Sequence, residues 1–309
     1  MSGYILRRLL QAIPVFFGTT LLIYFMVFAM PGDPIVALFG DKGVNPATAA
    51  ILRHQYHLDQ PFIMQYLIYI GGLFHGDFGT SFSGQSVGDI LAQTFPVTLR
   101  LSMIAVFVEM VVGIGIGLVA GLRKGKLFDA TSLAVSLILI SVPIFVIGFV
   151  MQYFFAIKLG WAKATVSGDA PLNELILPGI VLASISIAYI VRLTRASVIE
   201  TAGQDFVRTA YSKGLSRNRV VRVHILRNSL IPVVTYLSID FGVLLVGATV
   251  TEGIFNVPGV GRTLYQAIIR GEGPTVVSFV TVMVLIYLTV NLLTDLLYAA
   301  LDPRIRYGK

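Results

Sequence analysis

The sequence of 309 residues contains no cysteine, which excludes disulfide bonds, cysteine-ligated zinc or iron–sulfur clusters, and catalysis by a thiol. Charged residues are also scarce, because Asp, Glu, Lys and Arg make up 13% of the chain, against roughly 25% in soluble proteins. A G-x-x-x-x-G-K-[ST] phosphate-binding loop is absent as well. The nearest sequence, Gly125-Lys126, is followed by leucine and lacks the upstream glycine. The chain therefore has no such motif with which to bind and hydrolyse ATP.

Apolar residues are abundant and make up 56% of the chain. Several segments provide the roughly 20 apolar residues that a membrane-spanning helix needs. The first is followed by no small-x-small cleavage site, so we expect it to be retained. The sequence thus predicts an all-α integral membrane protein with six transmembrane helices, at Leu9–Met30, Val97–Leu122, Leu127–Ile157, Leu175–Val191, Ile231–Thr251 and Val276–Leu301.

These segments divide the chain into four parts. Residues 1–30 form the N-terminal end and the first span, and residues 31–96 form a polar loop, expected to fold as a small extracytoplasmic cap with helices at Pro46–His57 and Phe62–Leu73. A five-helix core follows over residues 97–301, and residues 302–309 form a tail.

Two histidines of the cap, His54 and His57, are spaced to face one metal ion, but no third ligand is nearby in the sequence. A solvent-exposed helix face is therefore the preferred interpretation.

The positive charges predict the orientation of the chain. Sixteen lysine and arginine residues fall in the segments assigned to the cytosol and seven on the outer side, which predicts that both termini are cytosolic. This asymmetry also accounts for the net charge of +7 without a nucleic-acid partner.

Two features predict how the spans pack. Gly113, Gly117 and Gly121 form a stripe of small residues on the second span, which lets another helix approach closely. Pro143, within the third span, predicts a kink.

The most charged stretch of the chain runs over residues 203–232 and is too polar to lie in a bilayer. Its pattern predicts a first helix capped by Asp205 and ended by Gly214 in a left-handed conformation. A second helix, capped by Ser216, is expected to end before Pro232. Apolar residues at helical spacing need a cover, so we expect this stretch to dock on a cytosolic partner. In the first helix they are Phe206, Val207, Ala210 and Tyr211.

Two carboxyl groups, Glu109 and Asp240, fall near the middle of spans two and five. A charged carboxylate there costs about 2.5–3.5 kcal/mol, so each is expected to face a partner, the protein interior or a water-filled path. Asp295, near the cytosolic end of span six, is expected to reach the interface or to pair with a basic residue of the 203–232 stretch.

Several motifs resemble the permease subunits of ATP-binding-cassette importers, in the dipeptide and oligopeptide branch. The 203–232 stretch contains two of them, Arg208-Thr-Ala-Tyr-Ser-Lys-Gly-Leu and His224-Ile-Leu-Arg-Asn-Ser-Leu-Ile-Pro, which resemble the coupling loop of that branch. Arg208-Thr-Ala stands where the wider family has Glu-Ala-Ala, and Gly214 keeps the spacing. The others are Ile5-Leu-Arg-Arg-Leu, Pro31-Gly-Asp-Pro, His75-Gly-Asp-Phe-Gly, Phe255-Asn-Val-Pro-Gly-Val-Gly, with Val257 where tryptophan is commoner, and Asp295-Leu-Leu-Tyr-Ala-Ala-Leu-Asp-Pro-Arg-Ile-Arg-Tyr.

The resemblance implies a type I importer permease, most similar to the first permease of a bacterial dipeptide importer, in the cell membrane. Its partners would be a second homologous permease, two cytosolic ATPases that bind the ATP and magnesium, and an extracytoplasmic solute-binding protein. No cofactor is expected in this chain.

The same resemblance implies roles for single residues. It assigns the apolar ATPase contact to Phe206, Val207, Ala210 and Tyr211, the turn to Gly214, and the polar rim to Arg208, Lys213 and Arg217. It also places Asp77, Pro258, Gly259 and Gly261 at the binding protein. For Glu109 and Asp240 it leaves three roles open: lining the substrate route, pairing with the second permease, or a hydrogen bond between helices.

Two other classes of protein compete with this interpretation. A membrane enzyme would need a nucleophile or metal set within the spans, but the four histidines, His54, His57, His75 and His224, all fall in predicted loops. A secondary carrier could use Glu109 and Asp240 as a relay, but it would not need the coupling loop. The cargo also stays open among dipeptides, oligopeptides, nickel, glutathione and haem.

Overall fold

The computed structural model of the chain describes residues 2–28, 35 and 45–301. The Pro31-Gly-Asp-Pro motif and the 302–309 tail lie outside the described residues. Within those ranges the fold is helical, and the β pairing consists of one isolated bridge between Thr80 and Ser86.

The helices are numbered here in chain order. They are α1 (Ser2–Phe28), α2 (Pro46–Gln55), α3 (Phe62–Phe74), α4 (Val87–Leu122), α5 (Leu127–Ser141), α6 (Ile144–Lys158), α7 (Leu172–Ala202), α8 (Asp205–Ser212), α9 (Arg217–Val246), α10 (Thr249–Phe255), α11 (Val260–Ile269) and α12 (Gly273–Leu301).

Five helices of the described chain are long and apolar enough to cross a membrane, and a sixth span results if α5 and α6 count as one. This agrees with the six spans predicted from the sequence. The five are α1, α4, α7, α9 and α12.

The predicted ends of two spans were wrong for the same reason. The sequence pattern starts span two after Pro96 and ends the second helix of the charged stretch before Pro232, yet both prolines lie inside continuous helices, α4 and α9. Proline removes one backbone hydrogen bond, but neighbouring groups in a membrane helix can compensate for that loss. Span two consequently begins at Val87, ten residues earlier than predicted, and α9 continues from the charged stretch of residues 203–232 into span five without a break.

The predicted kink at Pro143 is confirmed, but it is far larger than a proline kink in a continuous helix. Val142 and Pro143 both adopt extended backbone angles, with ψ values of 127° and 141°. The axes of α5 and α6 therefore differ by 104°.

The chain divides into two compact units. Unit 1 comprises residues 1–98 and 258–289, and unit 2 comprises residues 99–257 and 290–309.

In unit 1, helix α3 packs along α1 through aromatic side chains and hydroxyl groups. Tyr24, Tyr66, Ile70 and Val277 are buried together. The Tyr66 hydroxyl lies 2.9 Å from Thr20 Oγ1, eight residues before the end of α1. At 1.5 Å per residue this is about 12 Å along the helix. The predicted cap helix therefore packs well down the side of the first span.

In unit 2, the predicted glycine stripe is confirmed, and its partner is α7. A Cβ atom added at Gly113, Gly117 or Gly121 would lie 2.6–2.8 Å from side-chain atoms of α7. The atoms in question belong to Ile190, Thr194 and Val198. The absence of side chains on one face of α4 thus allows near contact of the two backbones.

Candidate functional site

The helix α8 is the centre of the charged stretch that the sequence singled out. Its predicted cap was wrong by one residue, because Gln204, in an extended conformation, precedes the helix and Asp205 lies in its first turn. A carboxylate there still interacts favourably with the helix dipole. Asp205 also lies 3.5 Å from Arg208, in an exposed pair.

The apolar residues of α8 divide between two faces. Val207 and Ala210 are buried against this chain's own core, together with Val198 of α7 and with Val220 and Ile225 of α9. The expectation that Val207 and Ala210 touch a separate ATPase is therefore corrected: their surface is already covered. Periodicity marked the apolar positions correctly but could not distinguish which of them face inward.

The other face of α8 remains uncovered in this chain. Phe206 is 44% exposed and Tyr211 is 46% exposed. Arg208, Lys213 and Arg217, to which the resemblance assigns the polar rim, are also exposed. The face combines two aromatic rings with positive charge, which suits it to an apolar groove with an acidic edge.

Gly214 ends α8 as the sequence predicted. Its φ of +76° is in the left-handed region, where a residue with a side chain is strained. Its N–H donates to the Tyr211 carbonyl at 2.9 Å, and the Leu215 N–H donates to the Ala210 carbonyl at 3.3 Å. These bonds satisfy carbonyl groups at the end of the helix and turn the chain toward α9.

Ser216 is the N-cap residue of the second helix, as predicted, although its side chain makes no capping hydrogen bond. The helix then widens over Val220–Ile225 and continues into the membrane as α9. The two predicted helices around a turn are therefore confirmed, but the second is the first part of a membrane-spanning helix, which the sequence pattern did not predict.

An ion pair that the sequence did not reveal lies near this end of unit 2. The Arg195 guanidinium of α7 donates two hydrogen bonds to the Asp129 carboxylate of α5, one of them at 2.8 Å. The Gly125 N–H donates to the same carboxylate at 2.8 Å. Asp129 is buried, so the pair holds the loop before α5 to the side of α7. In the sequence, Arg195 served only as one of the positive charges that predict the cytosolic side.

The two intramembrane carboxyl groups meet in the structure. Glu109, in a wide helical turn of α4, and Asp240 of α9 face each other as neighbours. Ser186 of α7 donates a hydrogen bond to Asp240 Oδ1 at 3.1 Å. Because 130 residues separate the two acids in the chain, no local pattern could predict this contact.

The residues predicted to face a binding protein lie in unit 1 and differ in exposure. Asp77 is exposed, and its carboxylate accepts a hydrogen bond from the Gly79 N–H at 2.8 Å. Pro258 is half-buried, whereas Gly259 and Gly261 are buried. The two glycines therefore shape the start of α11, and Asp77 is the member of this set most open to a partner.

Asp77 also lines a cavity of about 230 Å³ within unit 1. Tyr56 lines the same cavity, and its hydroxyl donates to the Ser81 carbonyl at 3.1 Å. Burial raises the pKa of the Tyr56 phenol above its usual value.

His54 is exposed on α2, as predicted, whereas His57 lies beyond the helix end, with a φ of 55°, and not on the predicted helix face. The described part of the chain contains no group of three or more His, Cys, Asp or Glu side chains placed to hold a metal ion.

Comparison with solved structures gives a likeness to the chain of a methionine importer, described as the inward-facing MetNI methionine ABC transporter. The TM-score is 0.57 at 18% sequence identity, with 69% of this chain and 96% of that chain covered. At this identity the likeness shows a shared fold, which is the type I importer permease fold predicted above.

Curated relatives match over their whole length. The dipeptide transport system permease protein DppB of Escherichia coli K12 is 39% identical over 341 residues, with both chains covered completely. The di/tripeptide transport system permease protein DppB of Pseudomonas aeruginosa is 38% identical over 338 residues, again with complete coverage.

Two family descriptions cover nearly the whole sequence. Residues 1–102 match the N-terminal region of binding-protein-dependent transport system membrane components. Residues 113–307 match the binding-protein-dependent transport system inner membrane component itself. The chain therefore belongs to the family of binding-protein-dependent transport system inner membrane components.

Proposed function

We propose that this chain is a permease subunit of an ATP-driven importer that takes up dipeptides or short oligopeptides. The peptide cargo is supported by the two DppB relatives, which are 39% and 38% identical over complete chains. Nickel, glutathione and haem are not favoured by these comparisons.

The observation that carries the proposal is the uncovered face of α8. Its inner residues, Val207 and Ala210, are fixed to the core, while Phe206 and Tyr211 project from a basic rim. A secondary carrier needs no such face. A groove on a cytosolic ATPase would cover it, and ATP and Mg²⁺ would be bound by that partner. Both termini of this chain would then lie in the cytosol.

The packing around α8 suggests how a movement of this helix is transmitted to the membrane-spanning helices. Val207 and Ala210 lie against Val198 of α7, and Val220 belongs to the cytosolic end of α9. Closure of two ATPases would therefore move the ends of two spans together with α8. A second homologous permease would make the same movement, and an extracytoplasmic solute-binding protein would deliver the peptide.

A glycine substitution tests the coupling role. Gly214→Val places a β-branched side chain at a φ of +76°, so α8 should lose its native end and its docking geometry. We expect dipeptide uptake by the reconstituted transporter to be abolished while the subunit stays in the membrane. Gly203→Ala is the matched control, because Gly203 closes α7 at a φ of −81° that alanine adopts readily. Normal uptake by the Gly214→Val transporter would contradict the proposal.

A further inference from the structure

The buried carboxyl groups of Glu109 and Asp240 have too few hydrogen-bond donors to be two ordinary carboxylates. Glu109 is 0% exposed and Asp240 is 8% exposed. Both oxygens of Glu109, and Oδ2 of Asp240, are buried and receive no hydrogen bond from another group. Only Oδ1 of Asp240 has a donor, the Ser186 hydroxyl.

Among the described residues, the ion pairs involve other carboxylates, and neither Glu109 nor Asp240 has a lysine, arginine or histidine at ion-pair distance. The titratable side chain beside the pair is a phenol, that of Tyr236 of α9, whose ring centre lies 6.4 Å from that of Tyr189 of α7. Phenols are neutral and supply no charge to hold two anions.

Two neighbouring carboxylates without a cation repel each other, and burial in a membrane strengthens that repulsion. A single proton between them removes one charge and supplies the missing hydrogen-bond donor, as in pairs of acids that share one proton.

We propose that Glu109 and Asp240 form a proton-binding site in the membrane, in which one shared proton links α4 to α9. Helix α7 packs against both elements and adds the Ser186 hydroxyl to the site. The ligand of this site is the proton itself, and the site is a structural link between spans rather than a contact for the cargo.

The proposal predicts how amide variants behave. In Glu109→Gln or Asp240→Asn, an amide N–H replaces the shared proton as the donor, and the pair keeps a net charge of −1. Both variants should therefore retain uptake with an unchanged KM. A proton relay or a substrate contact would instead be lost with either carboxyl group.

Infrared spectroscopy of the assembled transporter tests the site without reference to transport. The wild-type complex should show the C=O stretch of a protonated carboxylic acid, persisting above the pH at which exposed carboxyl groups ionise. Because the proton is shared, either amide variant should remove the whole of this band. Asp169→Asn, at an exposed carboxylate of unit 2, should leave it unchanged.

Two results would overturn the proposal. A band that neither amide variant changes means that the pair holds no proton. A band that each variant reduces by about half means that each carboxyl group holds its own.

Thermal unfolding of the complex provides a second measurement. Glu109→Ala and Asp240→Ala should each lower Tm, because each leaves a buried carboxyl group without its partner. The double variant should lower Tm by less than the two single shifts added together. Additive shifts would contradict a direct link between the two residues.

Discussion

Helices pack against each other in opposite ways in the two units. In unit 2, α4 and α7 touch where side chains are missing, so that Gly117 lies against Thr194 and the Val191 carbonyl. In unit 1, α1 and α3 touch through large aromatic rings and hydroxyl groups such as Tyr66 and Thr20. The first kind of contact has no room to adjust, whereas the second can repack. The rigid contact between α4 and α7 extends to Val198, which packs with Val207 and Ala210 of α8.

The largest effect is expected where the backbones are closest. Gly117→Val would place a Cβ atom 2.6 Å from Thr194 Cβ and 2.7 Å from the Val191 carbonyl oxygen. A backbone atom cannot move aside cheaply, so we expect a loss of more than about 3 kcal/mol and no assembled transporter. Assembly in detergent and uptake in liposomes measure this.

Gly115 on the same helix provides the control. It is exposed, and a Cβ atom added there meets nothing within 4 Å. Gly115→Val should therefore assemble and transport normally. Equal damage by both substitutions would mean that general helix flexibility, not close packing, is what the glycines supply.

A smaller effect is expected from the ion pair that holds α5 to α7. Asp129→Ala leaves Arg195 without its bidentate partner in a half-buried position, which should cost roughly 1.5–3 kcal/mol. Thermal unfolding of Asp129→Ala, Arg195→Ala and the double variant measures the coupling. If the Tm shift of the double variant equals the sum of the two single shifts, the pair contributes nothing to the rigidity of unit 2.

The smallest effect is expected in unit 1. Tyr66→Phe removes one hydroxyl that bonds to Thr20 and to the Phe17 carbonyl, and it keeps the ring. The loss should be about 0.5–1.5 kcal/mol, with uptake preserved. A loss of stability as large as that of Gly117→Val would contradict the difference proposed between the two kinds of contact.

Local patterns predicted the features that depend on local chemistry. The stripe of Gly113, Gly117 and Gly121 predicted a close helix contact, and Gly214 predicted a left-handed helix end. The spacing could not name α7 as the partner, because any helix can pack on small residues. Pro143 likewise predicted a kink, but the size of the bend, 104°, depends on how the flanking helices pack.

The features that the sequence missed depend on contacts between distant residues. Glu109 and Asp240 were identified separately, and nothing in the chain between them indicates that they meet. The same holds for Asp129 and Arg195. In α8, the apolar positions were found correctly, yet the division between the buried pair and the exposed pair follows from where α7 and α9 end.

Cross-linking from α8 tests most directly whether an ATPase covers its exposed face. Because this chain contains no cysteine, Phe206→Cys introduces a thiol that is unique in this chain, to which a photoactivatable cross-linker can be attached. Trp161→Cys, at a residue 75% exposed on the loop after α6, gives the matched control. If an ATPase groove covers this face, the label at position 206 cross-links to the ATPase subunit of the assembled transporter and the label at position 161 does not. Efficient labelling at position 206 without any cross-link to the ATPase would contradict it.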